Sequence, residues 1–357
     1  MKKKILFMLA IAISLTVACN KDDETALRQM DMTTRKNYVI IHVAGAGTMS
    51  IDWGDGAGSE TYELWDYDSQ WQGSHTFSHS YSSAVSHTIT LQGDNITYLG
   101  CDDNELLSMD VSRNGALKYL DCSVNSLSSL DVSSNKQLEL LYCTKNKLLK
   151  LDISKNTALS QLACPFNQLT ELNVSSVPAL TLLSCYNNQI EKLDVSKNTK
   201  LVTMYCGPNQ LSDLDISKND ELSTLYCGSN LFTSLDVSNH PNLTTLICDG
   251  NQISNLNVNG CTGLMVLNCG RYTYTPEGLG NRLTELDVSG CPALTSLNCE
   301  NNLFSGDGLN NLFETLTGNI NMNGKDIFIS HNPGVYSCEK NIAENKGWTV
   351  IIRSIEE

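Results

Sequence analysis

This chain holds 14 cysteines in 357 residues, yet no C-x-x-C pair occurs, so sequence-local zinc motifs are excluded. Histidine is scarce, at six residues, and no Ser–His–Asp or paired-carboxylate arrangement is legible. The glycine fingerprints of P-loops and dinucleotide sites are missing. Positive charge is also in deficit: the net charge is -15 and the pI about 4.8. That balance argues against nucleic acid and anionic membrane surfaces as partners. Beyond the first 19 residues no apolar run is long enough to span a bilayer. Between about residues 96 and 304, apolar residues at helical spacing are absent, and Asn, Ser, Gly and Lys fill the gaps between apolar pairs.

What is present is a repeat of 21 residues, exemplified by Leu117–Gln137, LKYLDCSVNSLSSLDVSSNKQ. One column reads Cys101, Cys122, Cys143, Cys164, Cys185, Cys206, Cys227, Cys248, Cys269 and, after an insertion, Cys299. Three residues later stand Asn104, Asn125, Asn146, Asn167, Asn188, Asn209, Asn230, Asn251 and Asn302; only the Cys269 copy lacks its Asn, with Tyr272 there instead. Each unit contains L-x-x-L-D-x-S-x-N twice over. Leu120 and Cys122 alternate with Asp121 and Ser123, and Leu130 and Val132 with Asp131 and Ser133, which is strand periodicity. A single coil cannot bury its apolar row, so the coils are expected to stack into one cooperative solenoid. At each turn an Asn amide can serve the backbone groups that leave the strand. A second turn column, Asn114, Asn135, Asn156, Val177, Asn198, Asn219, His240, Cys261 and Cys291, is looser.

A period of 20 to 29 with L-x-x-L-x-L-x-x-N-x-L is the leucine-rich-repeat pattern. With Cys on the strand, residues 96–304 resemble the internalin-type cysteine-ladder subfamily of bacterial leucine-rich-repeat surface proteins. The resemblance implies a mainly β repeat solenoid, a right-handed coil with two short parallel sheets. It also implies extracellular adhesion to, or recognition of, a protein or glycan.

The flanks are different in texture. MKKK followed by ILFMLAIAISLTVA reads as a signal peptide, and Ala18-Cys19 resembles a lipobox with Thr16 where Leu is usual. Residues 1–19 are therefore expected to be a lipoprotein signal, with Cys19 lipidated. Asn20-Lys21-Asp22-Asp23-Glu24 resembles an export tag for the outer face of an outer membrane. Residues 20–37 are expected to be a flexible tether. Residues 38–95 are β-rich, and WGDG at 53–56 with His79-Ser80-Tyr81 resembles a degenerate PKD-type β domain, expected to cap the first coil. His75, Phe77, His79 and Tyr81 alternate beside Asp52, Asp55 and Glu60. Two histidines without a third ligand favour a structural role over a metal site, and turn hydrogen bonds suit Asp52 and Asp55. Residues 305–357 are expected to be a small α/β C-terminal cap, with helical spacing at Leu309, Leu312, Phe313 and Leu316.

The inward phase of the ladder cysteines predicts buried free thiols, because parallel Cβ vectors on adjacent rungs suit no disulfide. Cys261 and Cys291, in equivalent turns, and Cys338, in the cap, are the pairing candidates, and free thiols are expected there too. The Asp column, Asp110, Asp131, Asp152, Asp194, Asp215, Asp236 and Asp287, can bond its neighbouring serines, or bind calcium. The outward positions of the Cys-bearing strand form a Tyr-rich face, and the candidate ligand-binding residues are Tyr142, Tyr186, Tyr205 and Tyr226. Tyr272 and Tyr274, in an insertion at 270–282, complete that set. No catalytic residue, metal or cofactor is expected. The reading is a monomeric, lipid-anchored surface module that binds an extracellular protein or glycan and meets the membrane only through its anchor. A structural envelope lipoprotein and a carbohydrate-processing hydrolase stand as alternatives.

Overall fold

The structure is a computed structural model, and it describes residues 28–65, 73–270, 280–318 and 324–353. Cys19 and the proposed signal and export tag lie outside these residues, as do Tyr272 and Tyr274. The chain forms a mainly β solenoid of about 11 turns with few helices. Its spine is a 14-stranded sheet. The short strands Tyr119–Asp121, Leu140–Tyr142, Gln161–Ala163, Leu182–Ser184, Thr203–Tyr205, Thr224–Tyr226, Thr245–Ile247, Val266–Asn268 and Ser296–Asn298 stack in it, parallel and in register. Leu120 pairs with Leu141, Leu141 with Leu162, and so on, so one apolar column is buried along the whole array. A single apolar cluster runs from Met30 to Trp348.

The second extended row behaves differently. Among the described residues it forms a ladder with itself only between Ser234–Asp236 and Asn255–Asn257. Elsewhere its backbone is used locally: Ser133 N–H donates to Asp131 Oδ1 at 2.9 Å, and Asn135 N–H to Val132 O at 2.9 Å. Such bonds turn the chain and leave fewer groups for a neighbouring strand.

The N-terminal unit contains eight strands counted through the first coil: β1 Gln29–Thr34, β2 Tyr38–Gly45, β3 Gly47–Asp52, β4 Ser59–Leu64, β5 His75–Ser80, β6 His87–Gly93, β7 Ile96–Gly100 and β8 Ser108–Asp110. They divide between two sheets. One has the order β4-β3-β6-β1-β8, and the other continues β5-β2-β7 straight into the spine, where β7 pairs with Tyr119–Asp121. The first coil is thus gripped on both sides, through β7 in the spine and through β8 beside β1. The expected tether is corrected here over Gln29–Thr34. That segment is a strand between β6 and β8, with Met30 and Met32 fully buried. Two buried methionines stabilise an ordered strand that a solvated linker could not offset. Asn104, the first Asn of the ladder column, fastens the cap as well: its Oδ1 accepts from Ile40 N–H at 2.9 Å and its Nδ2 donates to Ile40 O at 2.6 Å.

The ladder also runs further than its cysteines. After α1, Gly306–Thr315, with Ser305 Oγ as N-cap, the strand Lys325–Phe328 adds to Ser296–Asn298, and Trp348–Ile351 adds to that strand, both parallel. Ile329 takes the cysteine position and Asn332 the Asn position: Asn332 Nδ2 donates to Cys299 O and Ile329 O, each at 2.9 Å. The second helix, α2, is the single turn Asn341–Glu344.

Candidate functional site

Two Asn columns clamp the coils together, and they do so unequally. In the first, Asn146 Nδ2 donates to Cys122 O at 2.9 Å and Cys143 O at 3.2 Å, while its Oδ1 accepts from Leu127 N–H at 2.9 Å. Both ends of the amide are used: one atom donates twice and the other accepts, which a Val cannot do and a Cys does only weakly. In the second, Asn156 Nδ2 donates to Val132 O at 2.8 Å and Asn135 O at 2.9 Å, but its Oδ1 is buried without a partner. A donor alone suffices there. His240 Nε2 lies 3.0 Å from Ile216 O, and Cys261 Sγ donates to Val237 O at 3.0 Å, in each case the carbonyl 24 residues earlier. This difference explains the strict column and the loose one.

The Cys269 copy keeps the rule as well. Asn281 Nδ2 donates to Cys248 O at 3.0 Å and Cys269 O at 2.9 Å, and its Oδ1 accepts from Ile253 N–H at 3.0 Å. The insertion therefore sits between the Cys and Asn positions of one turn. The Asn-x-Leu spacing of Asn281–Leu283, identical to Asn125–Leu127, was the available signal.

All 13 described cysteines are free, and the ladder members are fully buried. Burial pushes their thiols up, that of Cys185 to about 12. Cys261 and Cys291 donate to different carbonyls, Val237 O and Val258 O. The Asp column is occupied by turn formation: Asp131, Asp152, Asp194 and Asp215 each accept the N–H of the serine two residues on, at 2.8–2.9 Å. Those serine hydrogen bonds hold the carboxyls below the usual range. In the cap, Asp52 and Asp55 accept from Gly54 and Ala57 N–H. His79 stacks on Trp53 at 4.9 Å and pairs with Asp55 at 3.0 Å. Gly54, at φ +72°, passes so near Thr88 O that an added Cβ would stand 2.3 Å from it.

The outward face of the Cys-bearing strands brings Tyr142, Tyr186, Tyr205 and Tyr226 around one open trough of about 660 Å³. It is not a continuous band of rings, as the column of residues suggests, but two aromatic walls with a gap. On one side Tyr205 and Tyr226 lie on adjacent rungs, ring centroids 5.0 Å apart. On the other, Tyr142 is half-buried and its hydroxyl donates to Gln161 Oε1 at 2.5 Å. Between them the same column holds Ala163 and Ser184. Tyr186 flanks the gap, packed edge-on against Phe166 at 5.3 Å. Lys145 Nζ lies over the Phe166 ring. Leu182, Thr144, Ser123 and Gly207 complete the lining. Gly207 is required by close approach, since a Cβ there would stand 1.8 Å from Gly228 O. The four tyrosines expected from the sequence line this trough; its floor is not singled out there, because small residues carry no signal of their own.

The fold defined by these coils is that of a leucine-rich-repeat solenoid. Among solved structures it is similar to the functional domain of InlJ from Listeria monocytogenes, which includes a cysteine ladder, at 34% identity and a TM-score of 0.58. That match covers 69% of this chain and 51% of the other, so the chain spans about half the length of the structure it resembles. An internalin, InlF, from L. monocytogenes also aligns, at 17% identity and a TM-score of 0.46, over 73% of this chain and 87% of that one. So does the LRR protein LIC12759 of Leptospira interrogans, at 19% identity and 0.47, over 68% and 74%. No family model matches the chain, and no curated protein does. Among the described residues, no helix is long and apolar enough to cross a membrane.

Proposed function

We propose that the protein is a cell-surface binding or adhesion module that recognises an extracellular protein or glycan through the outward face of the Cys-bearing strands. The trough between Tyr142 and Tyr205 carries this reading. It is the concave, aromatic-walled part of the face, and its volume falls in the range of ligand sites. Tyr226 and Phe166, 38% and 42% exposed, add apolar area at its rim. On the Asp face, Asp131, Asp152, Asp194 and Asp215 each hold a turn through Oδ1. Likeness to an internalin with a cysteine ladder supports the same direction.

The reading includes display from the membrane by lipid on Cys19. Support comes from the basic start, the apolar run, Ala18-Cys19 and the acidic stretch after it. Cys19→Ala should release the protein from the membrane fraction and abolish its protease accessibility on whole cells; retention of both sinks the anchor. For the face, a ligand captured by the full chain is compared across two double variants. Tyr205→Ala with Tyr226→Ala should weaken binding at least tenfold, while Asp194→Ala with Asp215→Ala should not. The reverse pattern transfers the site to the Asp face.

A further inference from the structure

We infer that the gap between the two aromatic walls is a subsite for a neutral oligosaccharide, an assignment that rests on the binding reading above and specifies its ligand. The gap spans the rungs of Tyr142, Ala163, Ser184 and Tyr205. Three rung spacings make about 14 Å, room for a short run of pyranose rings laid across the strands. The floor, Ala163 and Ser184, admits a ring edge where a tyrosine would block it.

The chemistry of the lining selects among occupants. The chain is 18% charged, yet no charged side chain lines the trough. A sialylated or sulfated glycan would meet no cation in the lining, since Lys145 beside it is turned onto the Phe166 ring, and the chain's overall negative charge would oppose it. A protein hot spot of the usual Arg-bearing kind would find no carboxylate partner. What the walls offer are aromatic faces for sugar C–H groups, and hydroxyls for sugar hydroxyls. The hydroxyls belong to the tyrosines, Ser123, Thr144 and Ser184. Tyr142 is already fixed in position by Gln161, so that ring needs little further ordering on binding.

The test fills the gap. Ala163→Tyr with Ser184→Tyr places tyrosines where the same column already carries them at 142, 205 and 226, so the strands can accept them. The probes are neutral tri- and tetrasaccharides of hexoses and N-acetylhexosamines, with their sialylated and sulfated forms, read by saturation-transfer NMR and titration calorimetry on the full chain. A neutral oligosaccharide should bind, its acidic form at least tenfold more weakly, and the filled variant should lose binding at least tenfold with its thermal midpoint held. A second variant, Tyr205→Phe, keeps the wall and removes a hydroxyl, and should weaken binding severalfold. Preference for the acidic forms overturns the inference, as does sugar binding that survives filling. So does the finding of a protein ligand that needs Tyr205 and Tyr226 but is indifferent to filling; that outcome would leave the face as the binding site. Should neither sugars nor any protein ligand depend on the tyrosines, both readings fall together.

Discussion

The two Asn columns permit a matched experiment in which one chemical change is made twice. Asn146→Cys and Asn156→Cys put the same thiol into neighbouring turns. At position 146 the loss of Oδ1 strands Leu127 N–H, whose partner is that oxygen. A buried orphaned donor costs about 1–3 kcal/mol. The carbonyls fare better, because Cys122 O still receives Asn125 Nδ2 and Cys143 O still receives Asn167 Nδ2. Weakening those two adds about 1 kcal/mol, for a total of about 2–4 kcal/mol. At position 156 the thiol can still donate to Val132 O, as Cys261 does to Val237 O. It also removes an amide oxygen that has no partner, so the net cost should lie below about 1 kcal/mol. Urea unfolding followed by circular dichroism gives both values, with equal m-values required so that the same cooperative unit is compared. Equal costs, or a larger one at 156, would refute the account of why one column is strict and the other is not.

Val124 sits at φ +55°, a conformation that is strained for a β-branched residue. Asn187 and Asn301 hold the same turn position at φ 52° and 54°, so Val124→Asn should stabilise by about 0.5–1 kcal/mol in the same urea assay; a loss would show that the valine contributes more than strain. Cys185→Ser should destabilise by about 1–3 kcal/mol, by burying a hydroxyl without an arranged partner. Thiol reagents at pH 8 should leave the ladder cysteines of the folded protein unmodified, since burial pushes Cys185 to about 12, and should modify them on denaturation; rapid labelling of native protein would contradict the packing. For the Asp column the folded pKa values are depressed by the serine hydrogen bonds. The stability they contribute is therefore present above the unfolded carboxylate value, near 3.9, and lost as pH falls through the lower folded values. Replacing Asp152 and Asp194 by Asn should flatten that acid loss and leave neutral-pH stability nearly unchanged, as Asn173 already makes the turn, accepting from Ser175 N–H.

Much of the fold was legible because period-two alternation, repeated every 21 residues, leaves one way to bury Leu120, Cys122 and their equivalents. The misses have physical reasons. Gln29–Thr34 alternates too, with Met30 and Met32 inward, but it lies in a polar stretch and pairs with strands about 60 and 80 residues away. The last ladder rungs were obscured because Ile329 replaces Cys, although Ile327-Phe328-Ile329-Ser330-His331-Asn332 preserves the unit. At the candidate site, each tyrosine was visible in its column. The gap was not, because a floor is defined by what Ala163 and Ser184 lack.

Val177 gives the array a mechanical property. At every other described second-column position the side chain reaches the equivalent carbonyl of the preceding coil, 24 residues earlier or, for Cys291 across the insertion, 33 residues earlier; Asn114 instead reaches the cap through Ile96 O. Valine has no donor, so Ile153 O keeps Asn156 N–H alone. Tension applied along the stack should therefore open this seam before its neighbours, parting the solenoid into a cap-bearing half and a half that carries Tyr205 and Tyr226. Because the trough straddles the seam, with Tyr142 on one side and Tyr205 on the other, a ligand bridging both walls would act as a splint, and force on the chain would be felt at the ligand before it reached the core.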